Sequence, residues 1–205
     1  MHTQPQTDFV KTLASRMGYL RSRDLAAYDI PRVVLTRMTN SGELFRAGRG
    51  VYRLSDSEGT EHEQLAIIST RTPHAVICLL SALAFHELTT QLPWKNWIAI
   101  PTGRKAKSDD SNSCRIVHMS PAIIEAGVEY HNCDGVQVKV FSIEKTIVDC
   151  FRFRRLIGLD VALEAMHDAR RDNRADVNEI WRYAKLCRVT NAIRPYLESF
   201  WWVAT

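Results

Sequence analysis

The sequence lacks a run of about 20 apolar residues, the length that a membrane-spanning helix needs. Its most apolar stretch, residues 75–85, is short and contains Cys78 and Ser81. The N-terminus also lacks the basic segment followed by an apolar core that is typical of a secretory signal peptide. These absences exclude a membrane-spanning class, and they predict a cytoplasmic protein with no membrane partner.

Cysteine is scarce, and its pattern argues against both a disulfide framework and a zinc knuckle. The five cysteines are odd in number and include no Cys-x-x-Cys pair. Cys114 with His118, and His131 with Cys133, supply the ligand types that zinc prefers. Both pairs fall on predicted strands, where residues four apart are separated by about 13 Å. We therefore interpret them as buried thiols and hydrogen-bonded histidines, and we expect no bound metal and no cofactor.

Basic charge, by contrast, is plentiful at one end of the chain. Residues 1–54 carry nine Lys and Arg against four Asp and Glu, whereas the rest of the chain carries 18 against 19. The net charge of +4 thus combines a basic segment with a nearly neutral one. Such asymmetry indicates a polyanionic partner.

The basic segment has the pattern of a winged helix-turn-helix. It predicts three helices and then two wing strands, over residues 8–17, 23–28, 31–42, 43–47 and 51–54. An apolar stripe of Phe9, Leu13 and Met17 marks the first helix, which Gly18 ends. Ser22 is the expected N-cap of the second helix.

The third helix divides into two sides, as a recognition helix must. Its inward side is predicted to comprise Pro31, Val34, Leu35, Met38 and Gly42. Its outward side is expected to read base edges, because arginine, asparagine and threonine offer hydrogen bonds and a methyl group there. The expected base-reading residues are Arg32, Thr36, Arg37 and Asn40. Five further arginines are expected on the DNA backbone, namely Arg21, Arg23, Arg46, Arg49 and Arg53.

A polar stretch at residues 55–59 predicts two domains, 1–58 and 59–205. The second is predicted to hold a small β-sheet followed by a helical cluster, which makes the whole chain α+β. Local signals place its elements. A capping box is expected for a helix over 61–70, a two-residue hairpin turn at Asp134-Gly135, and a helix start at Ser142.

Three side-chain groups in the second domain are candidates for a structural or functional role. Lys145 and Asp149 are predicted to form a surface pair on a helix, because they are four residues apart. A basic run in the loop after residue 101 is a possible partner contact, comprising Arg104, Lys105 and Lys107. The tryptophans are expected to anchor the core and the C-terminus, with Trp94, Trp97, Trp201 and Trp202 in those roles.

Four segments together resemble the AbiEi family, antitoxins of AbiE-type (type IV) bacterial toxin–antitoxin systems. They are R-A-G-R-G-V-Y-R-L (46–54), S-A-L-A-F-H-E-L (81–88), W-I-A-I-P (97–101) and V-F-S-I-E-K-T-I-V-D-C (140–150). The resemblance implies an N-terminal domain that binds double-stranded DNA at its own promoter, with inverted repeats as the expected sites. It also implies a C-terminal domain that opposes a nucleotidyltransferase-like toxin, and it brings no catalytic residues.

We therefore expect a DNA-binding antitoxin and autorepressor without enzyme activity. Three alternatives stay open. One is a regulator whose second domain senses a small ligand, and another binds only protein. The third is a DNA-targeted nuclease that uses Asp134, Gln137 and Lys139, although glutamine is a poor ligand for Mg²⁺.

Overall fold

The computed structural model describes residues 3–57, 59–106 and 113–201. The chain forms two compact units, the first comprising Met1–His74 and Tyr130–Val138 and the second comprising Ala75–Glu129 and Lys139–Thr205. Helices and strands are mixed throughout, so the α+β prediction is confirmed. The domain boundary between residues 58 and 59 stays a prediction.

The first unit contains a three-stranded antiparallel sheet and three α-helices. In chain order its elements are α1 (Thr3–Met17), β1 (Leu20–Arg21), a 3-10 helix (Asp24–Tyr28), α2 (Val33–Asn40), β2 (Leu44–Gly48), β3 (Val51–Leu54) and α3 (Glu63–Arg71). The sheet has the order β1-β3-β2. The predicted helices and wing are therefore present, and β1 joins the wing as a third strand.

The inward side of α1 differs from the predicted stripe. Val10 and Ala14 are fully buried, with Leu13 and Met17 packed beside them. Phe9 instead lies outside and contacts the Tyr28 ring, with 4.9 Å between centroids. The stripe is rotated because Val10, Leu13, Ala14 and Met17 already provide the i, i+3, i+4, i+7 spacing of a buried helical face.

The second predicted helix is a 3-10 helix, and its N-cap is Arg23 rather than Ser22. The carboxylate of Asp24 accepts the backbone N–H of Arg21 at 3.0 Å, so an acid inside the helix closes this turn. The third predicted helix is shorter than expected. It covers Val33–Asn40, with Pro31 and Gly42 both exposed outside it.

The predicted capping box at α3 is wrong. The helix begins at Glu63 with His62 as N-cap, whereas the box requires a cap at Thr60. The backbone N–H of Thr60 donates to Asp134 Oδ2 at 3.3 Å, while the Glu63 carboxylate accepts hydrogen bonds from Tyr19 and Arg53. Thr60 still accepts the backbone N–H of His62 at 3.1 Å.

The second unit holds most of a five-stranded sheet and a helical cluster. Its strands are β4 (Val76–Ile77), β5 (Asn96–Pro101), β6 (Cys114–Met119), β7 (Val128–Cys133) and β8 (Val136–Phe141). Its helices are α4 (Leu79–Phe85), α5 (Pro121–Ile124), α6 (Ile143–Arg152), α7 (Arg154–Ile157), α8 (Leu159–Arg171), α9 (Val177–Leu186) and α10 (Thr190–Trp201). The tip of the β7–β8 hairpin, Tyr130–Val138, belongs to the first unit.

The sheet mixes parallel and antiparallel neighbours in the order β6-β5-β4-β8-β7. β4 pairs antiparallel with β5 and parallel with β8, through Ile77 opposite Val140. β5 pairs in parallel with β6 over six residues. The predicted Asp-Gly turn is present, with positive φ angles of 52° at Asp134 and 79° at Gly135.

The predicted Ser142 cap is confirmed, because its hydroxyl accepts the backbone N–H of Lys145. The prediction for Lys145 and Asp149 is wrong, since both side chains are fully buried and paired with each other. The Lys145 ammonium also lies 4.1 Å from the centre of the Phe141 ring. Helical spacing alone fits a surface pair and a core pair equally well, so only packing decides between them.

Tryptophan burial follows the prediction at one position and contradicts it at another. Trp97 on β5 is buried, whereas Trp94 is 76% exposed and lies against Lys95 and Arg115. Trp202 and the side chain of Trp201 lie outside the described residues. Across residues 3–57, 59–106 and 113–201, every helix falls short of the length and hydrophobicity needed to cross a membrane.

Candidate nucleic-acid interface

The outward side of α2 carries the residues predicted to read bases. Arg32, Thr36, Arg37 and Asn40 are all exposed. Val33 is exposed with them at 54%, which adds an apolar contact to the polar ones. One helical face therefore presents two guanidinium groups, an amide, a hydroxyl and two apolar surfaces, the chemistry that distinguishes base edges in the major groove.

The opposite side of α2 is anchored in the core of the first unit. Val34, Leu35 and Met38 are buried there, in one cluster with Val10 and Leu44. The hydroxyl of Thr39 donates to the Leu35 carbonyl at 2.8 Å, within the helix. Because the inward side is fixed by packing, the outward side is held at a defined orientation.

The wing is the antiparallel pair β2–β3, and its pairing is interrupted. Leu44 lies opposite Leu54 and Phe45 opposite Arg53, and the register then shifts before Gly48 pairs with Val51. Such an irregularity twists a strand pair locally. Arg46 within this stretch and Arg49 just after it are both exposed, and their contacts to a DNA backbone stay a prediction.

The sequence predicts a contact between Arg53 and the DNA backbone, but the Arg53 side chain binds groups within the first unit. Its side chain is 15% exposed, and its Nε lies 3.3 Å from Glu63 Oε1. It also donates to the Leu54 carbonyl at 3.2 Å and stacks on the Phe45 ring, 4.6 Å from the centroid. The Arg53 guanidinium therefore connects β3 to Phe45 on β2 and to Glu63 on α3.

Arg21 is likewise engaged, whereas Arg23 is exposed. The Arg21 guanidinium pairs with both oxygens of Asp24, with its Nη2 2.7 Å from Oδ1. It also donates to the Thr70 carbonyl at 3.0 Å, near the C-terminal end of α3. Arg21 therefore joins β1 to α3, and Arg23, Arg46 and Arg49 are the backbone candidates that point outward.

Residues 8–55 match the family described as transcriptional regulator, AbiEi antitoxin. We refer to these residues as the AbiEi segment. It contains α2, the wing and all nine residues predicted to contact DNA. The three other motifs that carry the resemblance, at residues 81–88, 97–101 and 140–150, lie beyond the match.

The fold as a whole resembles the crystal structure of the RV2827C protein from Mycobacterium tuberculosis. The TM-score is 0.57 at 10% sequence identity, over 85% of this chain and 71% of that one. At this identity the likeness concerns the fold alone. No curated protein sequence matches the chain.

No pattern in the sequence indicated the polar cluster that joins Tyr19 of the AbiEi segment to two carboxylates outside it. The hydroxyl of Tyr19 lies 3.2 Å from Glu63 Oε1 and 3.5 Å from Asp134 Oδ2. Burial, together with these two carboxylates, raises the pKa of Tyr19, so its hydroxyl stays protonated and able to donate. Asp134 lies 115 residues along the chain from Tyr19, so no local pattern could have predicted the contact.

The possible partner contacts lie in the second unit. Arg104 and Lys105 are exposed in the loop that follows β5, and Lys107 lies outside the described residues. A role for this basic run in partner binding stays a prediction.

A cavity of about 560 Å³ in the same unit is lined by Arg154, Arg188 and residues 189–192. The Arg154 guanidinium donates to the Phe151 carbonyl at 2.8 Å.

The residues considered for metal or nuclease chemistry are dispersed. Among the residues that the structure describes, no three His, Cys, Asp or Glu side chains are grouped as a metal site would require. Gln137 is exposed, while the Asp134 carboxylate accepts hydrogen bonds from Tyr19 and from the backbone of Thr60. All five cysteines are buried thiols, and burial raises the pKa of Cys78 and Cys150.

Proposed function

We propose that this protein is a DNA-binding antitoxin that represses transcription of its own operon and opposes a nucleotidyltransferase-like toxin encoded beside it. The observation that carries the proposal is the exposed face of α2, held by a buried face and flanked by the wing. The match of residues 8–55 to an antitoxin regulator family supports the same conclusion. The proposed place of action is the cytoplasm, and the proposed mechanism involves no enzymatic step.

The residues divide into two roles on the DNA. We propose that Arg32, Thr36, Arg37 and Asn40 contact base edges in the major groove. Arg23, Arg46 and Arg49 are proposed to contact phosphates, which fix the position of the protein without reading sequence. Arg21 and Arg53 are proposed to act indirectly, by holding β1 and the wing in place through Asp24 and Glu63.

The decisive experiment compares two DNA duplexes of equal length, the protein's own upstream sequence and a scrambled version. Dissociation constants are measured by fluorescence anisotropy at two salt concentrations. We expect a large preference for the upstream sequence that persists at the higher salt, because base contacts do not release counterions. Two bound copies per inverted repeat are expected from the same titration.

Equal and strongly salt-dependent binding to both duplexes would contradict a role in specific repression. Such a result would leave the basic face as a general contact for nucleic acid. The antitoxin role is tested separately, by growth of cells that express the toxin with either the wild-type chain or an Arg104→Ala/Lys105→Ala variant. Loss of protection in that variant, with DNA binding unchanged, is expected if this loop contacts the partner.

A further inference from the structure

Two glycines from distant parts of the chain meet in the first unit. Gly18 follows α1, and Gly135 lies at the tip of the β7–β8 hairpin, and both have positive φ angles. A Cβ at Gly18 would lie 1.8 Å from the Asp134 carbonyl oxygen. A Cβ at Gly135 would lie 3.1 Å from the Cα and the N of Gly18. The two backbones are therefore in direct contact, which a side chain at Gly18 would prevent.

Hydrogen bonds fix the same contact. The Asp134 carboxylate faces the Tyr19 hydroxyl at 3.5 Å and accepts the backbone N–H of Thr60 at 3.3 Å. The Tyr19 side chain is almost completely buried, so its hydroxyl depends on these protein acceptors. The hairpin tip is thus tied to the ends of two segments, one leading into β1 and one leading into α3.

Both segments lead to the wing. Leu20, the residue after Tyr19, lies opposite Tyr52 in the pairing of β1 with β3. Glu63, which shares the Tyr19 hydroxyl with Asp134, binds Arg53. Arg53 in turn stacks on Phe45, on the other wing strand. A backbone route and a side-chain route therefore run from the hairpin tip to β2 and β3.

We propose that Asp134 and Gly135 are positioning residues for DNA binding, which hold the wing where Arg46 and Arg49 reach phosphates. The proposal rests on the DNA-binding function proposed above. The buried side of α2 packs in a cluster that includes Leu44 of β2 and Leu20 of β1, and that cluster contains no residue of the hairpin tip. Detaching the tip should therefore act mainly on phosphate binding by the wing rather than on base reading by α2.

The test uses full-length variants of Asp134 that separate the hydrogen bonds from the backbone conformation. Asp134→Gly removes the carboxylate but accepts a φ of 52°, and Asp134→Asn keeps an acceptor oxygen and tolerates that φ. Both variants remove the same charge. We expect Asp134→Gly to lower the slope of log K against log salt by about 0.9 for each phosphate that the wing no longer reaches. Asp134→Asn is expected to retain most of the wild-type slope.

Gly135→Ala is a second variant with a matched control. Gly103 has a similar φ of 85°, and a Cβ there would meet nothing within 4 Å. Both substitutions strain the backbone alike, but only Gly135→Ala disturbs the packing against Gly18. Gly135→Ala is expected to lower the salt slope, and Gly103→Ala to leave it unchanged. Thermal unfolding of each variant establishes that the protein measured is folded.

Double mutants show which class of DNA contact depends on the hairpin tip. Asp134→Gly combined with Arg49→Ala should cost less affinity than the sum of the single effects, because both act on phosphate binding by the wing. Combined with Arg37→Ala, its effect should be additive, and the preference for upstream DNA should fall only through Arg37. If Asp134→Gly and Gly135→Ala fold and bind with the wild-type salt slope, the proposal is overturned. A wild-type chain that fails to bind DNA would instead overturn the proposed function.

Discussion

Lys145 and Asp149 lie one turn apart on α6, and both side chains are fully buried in the core of the second unit. Burial raises the pKa of the Asp149 carboxyl, while the Lys145 ammonium opposes this shift. The thiol of Cys187 lies 3.8 Å from the second carboxylate oxygen. Each charge is tolerated in the core only because the other is present.

We expect Asp149→Ala to lower the free energy of unfolding by about 3–5 kcal/mol, because it leaves the Lys145 ammonium buried and unpaired. The double substitution Lys145→Met/Asp149→Leu should cost less than this single change, since no charge is then buried. Urea denaturation followed by circular dichroism measures both. Glu179→Ala, which breaks the exposed pair with Arg182, is the control and should barely move the midpoint.

Arg37 and Arg49 allow the two kinds of DNA contact to be separated. Arg37→Ala is expected to cost about 1–3 kcal/mol on upstream DNA and much less on scrambled DNA, because it removes the base contact proposed for Arg37. Arg49→Ala should weaken binding to both duplexes alike and lower the salt slope. Anisotropy titrations at several salt concentrations give these values. An equal decrease in affinity for the two duplexes from Arg37→Ala would show that α2 is not the recognition helix.

The N-termini of two helices are each closed by a single side chain. Ser142 begins α6 by accepting the backbone N–H of Lys145, and Asp176 begins α9 by accepting the N–H of Asn178. Each bond satisfies a donor that has no partner within the helix. Because α6 carries the buried pair and packs on α9, its start matters for the whole cluster.

Ser142→Ala should lower the free energy of unfolding by about 1 kcal/mol, the usual effect of removing an N-cap. Ser199→Ala is the matched control, since that exposed hydroxyl bonds the Tyr196 carbonyl inside its own helix. The control should leave stability unchanged, because alanine is favoured within helices. Denaturant titrations of the two variants decide the question, and equal midpoints would argue against an energetic role for the cap.

Elements whose signals are local could be predicted from the sequence. The Asp134-Gly135 turn, the Ser142 cap and the wing strands all depend on residues within a few positions of one another. The outward face of α2 also followed from helical periodicity alone.

Contacts between separate segments could not be predicted from local patterns. The Glu63 carboxylate accepts hydrogen bonds from Arg53, 10 residues away, and from Tyr19, 44 residues away. Arg21 pairs with a neighbour, Asp24, but its bond to Thr70 spans 49 residues. The sequence does not show whether an arginine side chain is exposed or binds a carboxylate of the same protein. It therefore could not distinguish Arg53, which binds Glu63, from Arg49, which is exposed.

At the scale of the molecule, the first unit is built from two separate stretches of chain, Met1–His74 and Tyr130–Val138. Its stability therefore depends on residues well beyond the predicted domain boundary at residue 58. Glu63 and Thr70, which bind Arg53 and Arg21, lie after that boundary. The hairpin tip, Tyr130–Val138, lies still further along the chain from that boundary.

A fragment of residues 1–58 is expected to be less stable than a fragment of residues 1–74. The shorter fragment loses the Thr70 carbonyl that binds Arg21 and the Glu63 carboxylate that binds Arg53, and a hydrogen bond to a charged group contributes about 2 kcal/mol. The full chain should bind DNA more tightly than either, because it alone contains Asp134 and Gly135. Thermal unfolding measures the order of stability, and fluorescence anisotropy measures the order of DNA affinity. A fragment of residues 1–58 as stable as the longer one would contradict this account of the unit.

The division of the first unit also has a consequence during synthesis. After His74 leaves the ribosome, residues 75–129 must be made before the hairpin tip is available. At about 5–20 residues per second, that delay amounts to several seconds. A nascent chain contains α2 early but completes the unit late, so there is a stage of synthesis at which Gly18 and Tyr19 have been made and Asp134 and Gly135 have not. The timing of translation thus sets when the first unit of a new molecule can be completed.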